Sequence, residues 1–76
     1  MKPDANAKAR LRDLTRYAAT KGRLTKTTAQ KHAGYWDGCI QFFLFGDVPG
    51  LTPAGSVWLL ESMQNLRRAA YKRGGI

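Results

Sequence analysis

One stretch limits what this chain can fold into more than any other. Residues 34–45, Gly-Tyr-Trp-Asp-Gly-Cys-Ile-Gln-Phe-Phe-Leu-Phe, hold five of the eight aromatic side chains and no lysine or arginine. A chain of 76 residues buries only about 60–65% of its unfolded surface. It has few places to put such a segment, so the segment has to supply the core. At helical spacing Trp36, Ile40, Phe43 and Leu44 form one buried stripe, which leaves Tyr35, Phe42 and Phe45 on other faces. Asp37-Gly38 is a turn signal, and residues 40–45 also fit a buried strand. Four consecutive apolar residues, 42–45, break strand alternation, so a helix over about 36–45 is expected.

The flanks have the opposite character. Residues 1–33 carry a net charge of +7, residues 34–66 carry −3 and residues 67–76 carry +4, for a total of +8. Two basic ends around an apolar middle point to an anionic partner, either nucleic acid or an acidic protein surface. The plain alternative is a basic surface that serves only solubility. The single cysteine, Cys39, has no partner for an internal disulfide, so the chain needs no oxidising compartment. No apolar run approaches the roughly 18 residues of a membrane span. Met1-Lys2-Pro3-Asp4 lacks an apolar signal core, and a cytoplasmic location is the expectation.

Four helices are readable. Asp4 is placed to cap the first, over about 5–20, with Ala7, Leu11, Leu14 and Ala18 as its core face and Lys21-Gly22 as its stop. Leu24-Thr25 begins the second, over about 25–33. Thr25 is its cap, Leu24 and Ala29 form a hydrophobic staple, and Thr27 with Gln30 makes a competing capping box. Gly34 ends it, and the third helix covers about 36–45. Residues 46–50, Gly-Asp-Val-Pro-Gly, are a loop. Thr52-Pro53 opens the last helix, over about 53–72, with Leu59, Met63, Leu66 and Ala70 as its stripe and Val57, Trp58 and Leu60 widening it. The expected fold class is mostly α: a single small domain of three to four helices over 1–73, with a flexible tail at 74–76.

The spacing over residues 25–45 resembles a helix-turn-helix. A short alanine-containing helix runs into a turn glycine, Gly34, and Ile40 follows six residues later as a core position. Leu51-Thr52-Pro53-Ala54-Gly55, followed by Leu59, resembles the segment that opens the last helix of winged-helix transcription regulators. Together these cover residues 24–60. They imply a DNA-binding scaffold of helix-turn-helix type with a vestigial β wing near 45–51. The chain departs from that family where it matters. A recognition helix presents Arg, Lys, Asn or Gln to base edges, whereas residues 35–45 offer only Gln41 and Asp37.

Candidate binding residues therefore lie elsewhere. Lys8, Arg10, Arg12 and Arg16 sit on non-core faces of the first helix; Lys21, Arg23, Lys26 and Lys31 follow; Arg67, Arg68, Lys72 and Arg73 crowd the end of the last helix. All twelve suit phosphates or an acidic protein patch, and the bland reading is a solvated face. Tyr35, Phe42 and Phe45 are candidates for the apolar centre of a protein interface, because aromatics dominate interface hot spots. Catalysis is poorly supported. His32 and Cys39, seven residues apart, are the only nucleophile–base pair available, and a packed cysteine with a surface histidine is the simpler reading. No metal-ligand spacing and no phosphate-binding glycine loop occurs, so no cofactor is expected.

The functional expectation is a small basic regulator of transcription that acts by binding an acidic surface of the transcription machinery, RNA polymerase. In size and charge alone it resembles small phage-encoded proteins that bind RNA polymerase. The alternative is a helix-turn-helix repressor on double-stranded DNA, a homodimer in that case. No membrane partner is expected.

Overall fold

A computed structural model describes residues 5–46 and 48–75. Three α-helices make up the fold: α1 (Ala5–Ala18), which tightens into a 3-10 turn at Ala19–Lys21, α2 (Ala29–Phe45) and α3 (Pro53–Gly74). The domain is mostly α, as expected, and no strand occurs among the described residues. The segment 40–45 is helical, and residues 48–51 form no wing. Asp4, the expected cap of α1, lies outside the described residues.

The main difference from the sequence reading is at Gly34. The two short helices expected over 25–33 and 36–45 are one continuous helix that passes through Gly34. The turn that the helix-turn-helix resemblance required there is absent. Glycine inside a helix costs about 1 kcal/mol relative to alanine. The apolar stripe outweighs it: Ala29, Ala33, Trp36 and Ile40 are buried on one side of α2, spaced so that a single helix presents them all. Burying one large side chain gains about 1.5–3 kcal/mol, so breaking the stripe would lose more than the turn would gain. Gly34→Ala should therefore stabilise the fold by about 1 kcal/mol, since a β-carbon there meets nothing within 4 Å. Gly46→Ala should do the reverse. Gly46 ends α2 with its N–H donated to the Phe42 carbonyl at 2.7 Å, and a β-carbon would lie 2.6 Å from that same oxygen. Urea midpoints of the two variants, moving in opposite directions, would check the pair.

α3 is the helix on which both others pack: α2 runs antiparallel along it, and α1 packs chiefly on α3 and touches α2 at few points. Asn6 at the start of α1 donates to the Gly50 carbonyl in the α2–α3 connection at 2.8 Å. That bond joins the beginning of α1, the end of α2 and the beginning of α3 at one end of a body 36 Å long. At the other end lie the turn after α1, the start of α2 and the end of α3, where Leu24 shares a shallow hollow with Ala69, Lys72 and Arg73. The core between these ends is built from Ala18, Trp36, Ile40, Leu59 and Met63, with Leu11, Leu14, Phe43, Trp58 and Leu66 packed against it. Leu44 and Val57, expected in the core, are exposed instead. At 100° per residue Leu44 lies 80° round α2 from Trp36, at the edge of the buried stripe and in the last turn of the helix.

α3 is opened by Thr52, whose Oγ1 accepts the Gly55 N–H at 3.0 Å, with Pro53 at the first helical position as expected. It continues to Gly74, two residues past the expected end, and Gly75 closes it in the left-handed conformation (φ 68°). No described helix is long and apolar enough to cross a membrane.

Candidate functional site

Topology brings two basic segments, distant in sequence, to one end of the molecule. The first begins in the last turn of α1 with Arg16 and continues through Lys21, Arg23 and Lys26 to Lys31 in the first turn of α2. The second is the end of α3, with Arg68, Lys72 and Arg73 exposed. None of the described acids falls within residues 14–36 or 62–75, so these cations have no counter-charge of their own. Arg67 is different. Its Nη1 donates to Asp37 Oδ1 at 2.9 Å, while Gln41 Nε2 donates to the other carboxylate oxygen at 3.2 Å. Asp37 is thereby neutralised beside α3, and Arg67 is committed within the fold.

The connection that carries Arg23 and Lys26 is held rigidly by short-range chemistry. Gly22 has φ 92° and ψ −179°, a conformation essentially confined to glycine. His32, 7% exposed, donates from Nε2 to the Gly22 carbonyl at 3.0 Å. A surface histidine was expected; His32 falls three residues after Ala29 and four before Trp36, on the buried stripe of α2, and that spacing was the available signal. Thr25 and Thr28 bond reciprocally: the Thr25 N–H donates to Thr28 Oγ1 at 2.9 Å and the Thr28 N–H to Thr25 Oγ1 at 3.3 Å. This is the pattern of a capping box, one turn ahead of the residues that begin α2. Thr28 Oγ1 also donates to the Arg23 carbonyl at 2.5 Å. Gly22→Ala should cost roughly 1–3 kcal/mol, because alanine in that conformation is strained. Denaturant unfolding would measure the loss, and an unchanged midpoint would mean that the connection relaxes freely.

Tyr35 joins this end to the middle of the molecule. Its hydroxyl donates to the Leu14 carbonyl at 2.8 Å, and its ring stacks on Tyr17 (centroids 5.6 Å apart) and meets Trp36 edge-on (5.0 Å). Lys21 Nζ sits 5.7 Å and 5.6 Å from the Tyr17 and Tyr35 ring centroids, close enough for cation–π attraction. Burial, with the neighbouring Cys39 thiol next in importance, pushes the Tyr35 hydroxyl above its ordinary range. Tyr35 is therefore a half-buried strut between α1 and α2. Burial also raises the Cys39 thiol, and the Tyr35 contact only partly offsets this. His32 and Cys39 lie about 10 Å apart along the α2 axis, each engaged with a different group.

Phe42 and Phe45 are exposed, at 69% and 87%, near the other end of α2. Between them and the basic end runs an open groove of about 430 Å³, walled by α1 and α2 above the buried Leu59 and Met63. Lys8, Arg10 and Arg12 lie along α1, exposed; Arg10 stands on the groove wall. Among the described residues no cluster of His, Cys, Asp or Glu is arranged to hold a metal ion. No family model matches the sequence, and no match was found among curated proteins or among solved structures.

Proposed function

We propose that this chain is a small basic regulator that acts by binding, its basic end docking on an acidic surface of a macromolecular partner in the cytoplasm. The partner class we propose is the transcription machinery, with an RNA polymerase subunit supplying the acidic surface. The observation that carries the binding reading is the convergence of Lys21, Arg23, Lys26, Lys31, Arg68, Lys72 and Arg73 at one end with no acid among them. Folding such charges together raises the repulsion between them, a cost that a purely soluble protein avoids by spreading them out.

Duplex DNA is the second reading. Cations at helix termini and in a fixed loop suit phosphates. The exposed Phe42 and Phe45 favour a protein partner, because aromatic side chains are enriched in protein interfaces and gain nothing from a phosphate backbone.

The test is a parallel titration against purified bacterial RNA polymerase and a random DNA duplex, each at low and at physiological salt. The regulator reading expects saturable polymerase binding that survives physiological salt. Phosphate-dominated DNA binding would instead fall by orders of magnitude between the two salts. No polymerase binding, with steeply salt-dependent duplex binding, would replace the first reading with the second.

A further inference from the structure

We propose that the groove between α1 and α2 receives a single helix of the partner, with an apolar face along its length and acidic side chains toward one end. This rests on the reading of the basic end as an acid-binding surface and specifies what that partner must look like. The groove exists because of two glycines. Gly34 and Gly38 face outward one turn apart, and a β-carbon at either would meet nothing within 4 Å. The backbone of α2 is therefore open to close approach, and a partner axis can lie nearer to it than side chains ordinarily allow. The lining is apolar, with Leu14, Cys39 and Phe43 partly exposed above the buried Leu59 and Met63, and Phe42 stands at one end as an exposed wall. From Gly34 to Phe42 the groove extends about 12 Å along α2, the span of apolar anchors at i, i+4 and i+7 on a second helix. Its volume of about 430 Å³ lies in the range of sites that accept such groups.

Charge decides the occupant. Arg10 is the one charged residue lining the groove. Tyr35 lines it too, and on its far side Tyr35 borders a hollow shared with Thr20, Lys21 and Lys31. The apolar trough thus opens into a cationic rim at the basic end. Asp13, one turn beyond Arg10, lines an adjoining hollow with Asn6 and Gly50 that shares Arg10, Leu14 and Tyr35 with the groove. A ligand complementary to this surface is apolar where it crosses Gly38, anionic beside Arg10 and more strongly anionic beside Lys21 and Lys31. A second copy of this chain fits poorly, since its net charge of +8 repels the same rim.

The probe is a synthetic helical peptide with leucine at i, i+4 and i+7 and glutamates crowded toward one end. It is compared with the same residues in shuffled order, with binding read by fluorescence anisotropy. The ordered peptide should bind at least tenfold more tightly. Gly38→Leu, which fills open space and replaces a helical glycine, should keep or raise the melting temperature. It should weaken the ordered peptide at least tenfold and leave the shuffled one unchanged. Equal binding of both peptides, or undiminished binding to Gly38→Leu, would overturn the groove while leaving the basic end intact. Failure of both peptides at low salt would remove the basic-end reading as well. A simple long-chain carboxylate that binds as tightly as the ordered peptide, or a concentration-dependent dimer abolished by Gly38→Leu, would assign the groove to a different occupant and overturn the proposal.

Discussion

Replacing Trp36 with alanine should lower the stability of this protein by about 3–5 kcal/mol. Trp36 is 3% exposed and packs in the core with Ala18, Ile40, Leu59 and Met63. Truncating a buried tryptophan to alanine typically costs 3–5 kcal/mol, through lost transfer energy and the cavity left behind, on the order of a third or more of a small domain's stability. At roughly 0.05–0.15 kcal/mol per residue, a 76-residue domain has about 4–11 kcal/mol in total. The loss reaches beyond the core. The Tyr35 ring that meets Trp36 edge-on also stacks on Tyr17 and lies under Lys21, so the α1–α2 contact should loosen with it. Circular dichroism during urea titration would measure the change. Trp36→Phe should lose much less, and a Trp36→Ala midpoint within error of the parent would mean that the core does not depend on this ring.

Reversing two charges at the basic end should weaken binding to an anionic partner at least a hundredfold at low salt. Lys26→Glu with Lys72→Glu places one reversal in the connection before α2 and one on α3, on the two segments that only the fold brings together. The comparison is Lys8→Glu with Arg12→Glu, on exposed positions of α1, which lowers the net charge by the same amount. Lys8 is about 20 Å along the chain's helical rise from Lys21. That exceeds the Debye length of about 8 Å at physiological salt. Local recognition therefore predicts a large effect from the first pair and a small one from the second. Equal losses, measured by titration against the same partner at two salt concentrations, would mean that net charge alone attracts the partner and that no recognition face exists.

Much of the fold follows from periodicity. Leu59, Met63 and Ala70 recur at helical spacing and are all buried, and Ala7 and Ala18 mark the core face of α1 as their spacing requires. Thr52-Pro53 starts α3 as its local pattern requires, because the cap and the missing proline N–H are local chemistry. Gly34 is the instructive failure. Local propensity sets it as a stop, and the cost it imposes, about 1 kcal/mol, is less than the gain from keeping Ala33, Trp36 and Ile40 on one continuous face. The side chains that decide this comparison are on α3, some 20 or more residues away. No window around Gly34 contains them. Leu44 and Val57 fail for a related reason: apolar character shows that a side chain gains from burial, but which flank is covered depends on where the neighbouring helix lies.

The amino-acid sequence alone determined that the chain is helical, that residues 34–45 are its apolar middle and that the flanks are cationic. These properties depend on residue type and on spacing within a few turns. The tertiary structure alone decided that the two cationic flanks meet at one end, that Asp37 takes Arg67 out of that group, and that an apolar groove opens toward the same end. Each of these depends on how α1 and α2 both pack on α3. Electrostatic and apolar surfaces are recognised by arrangement in space, and that arrangement is fixed only when burial of the core selects one packing of the three helices.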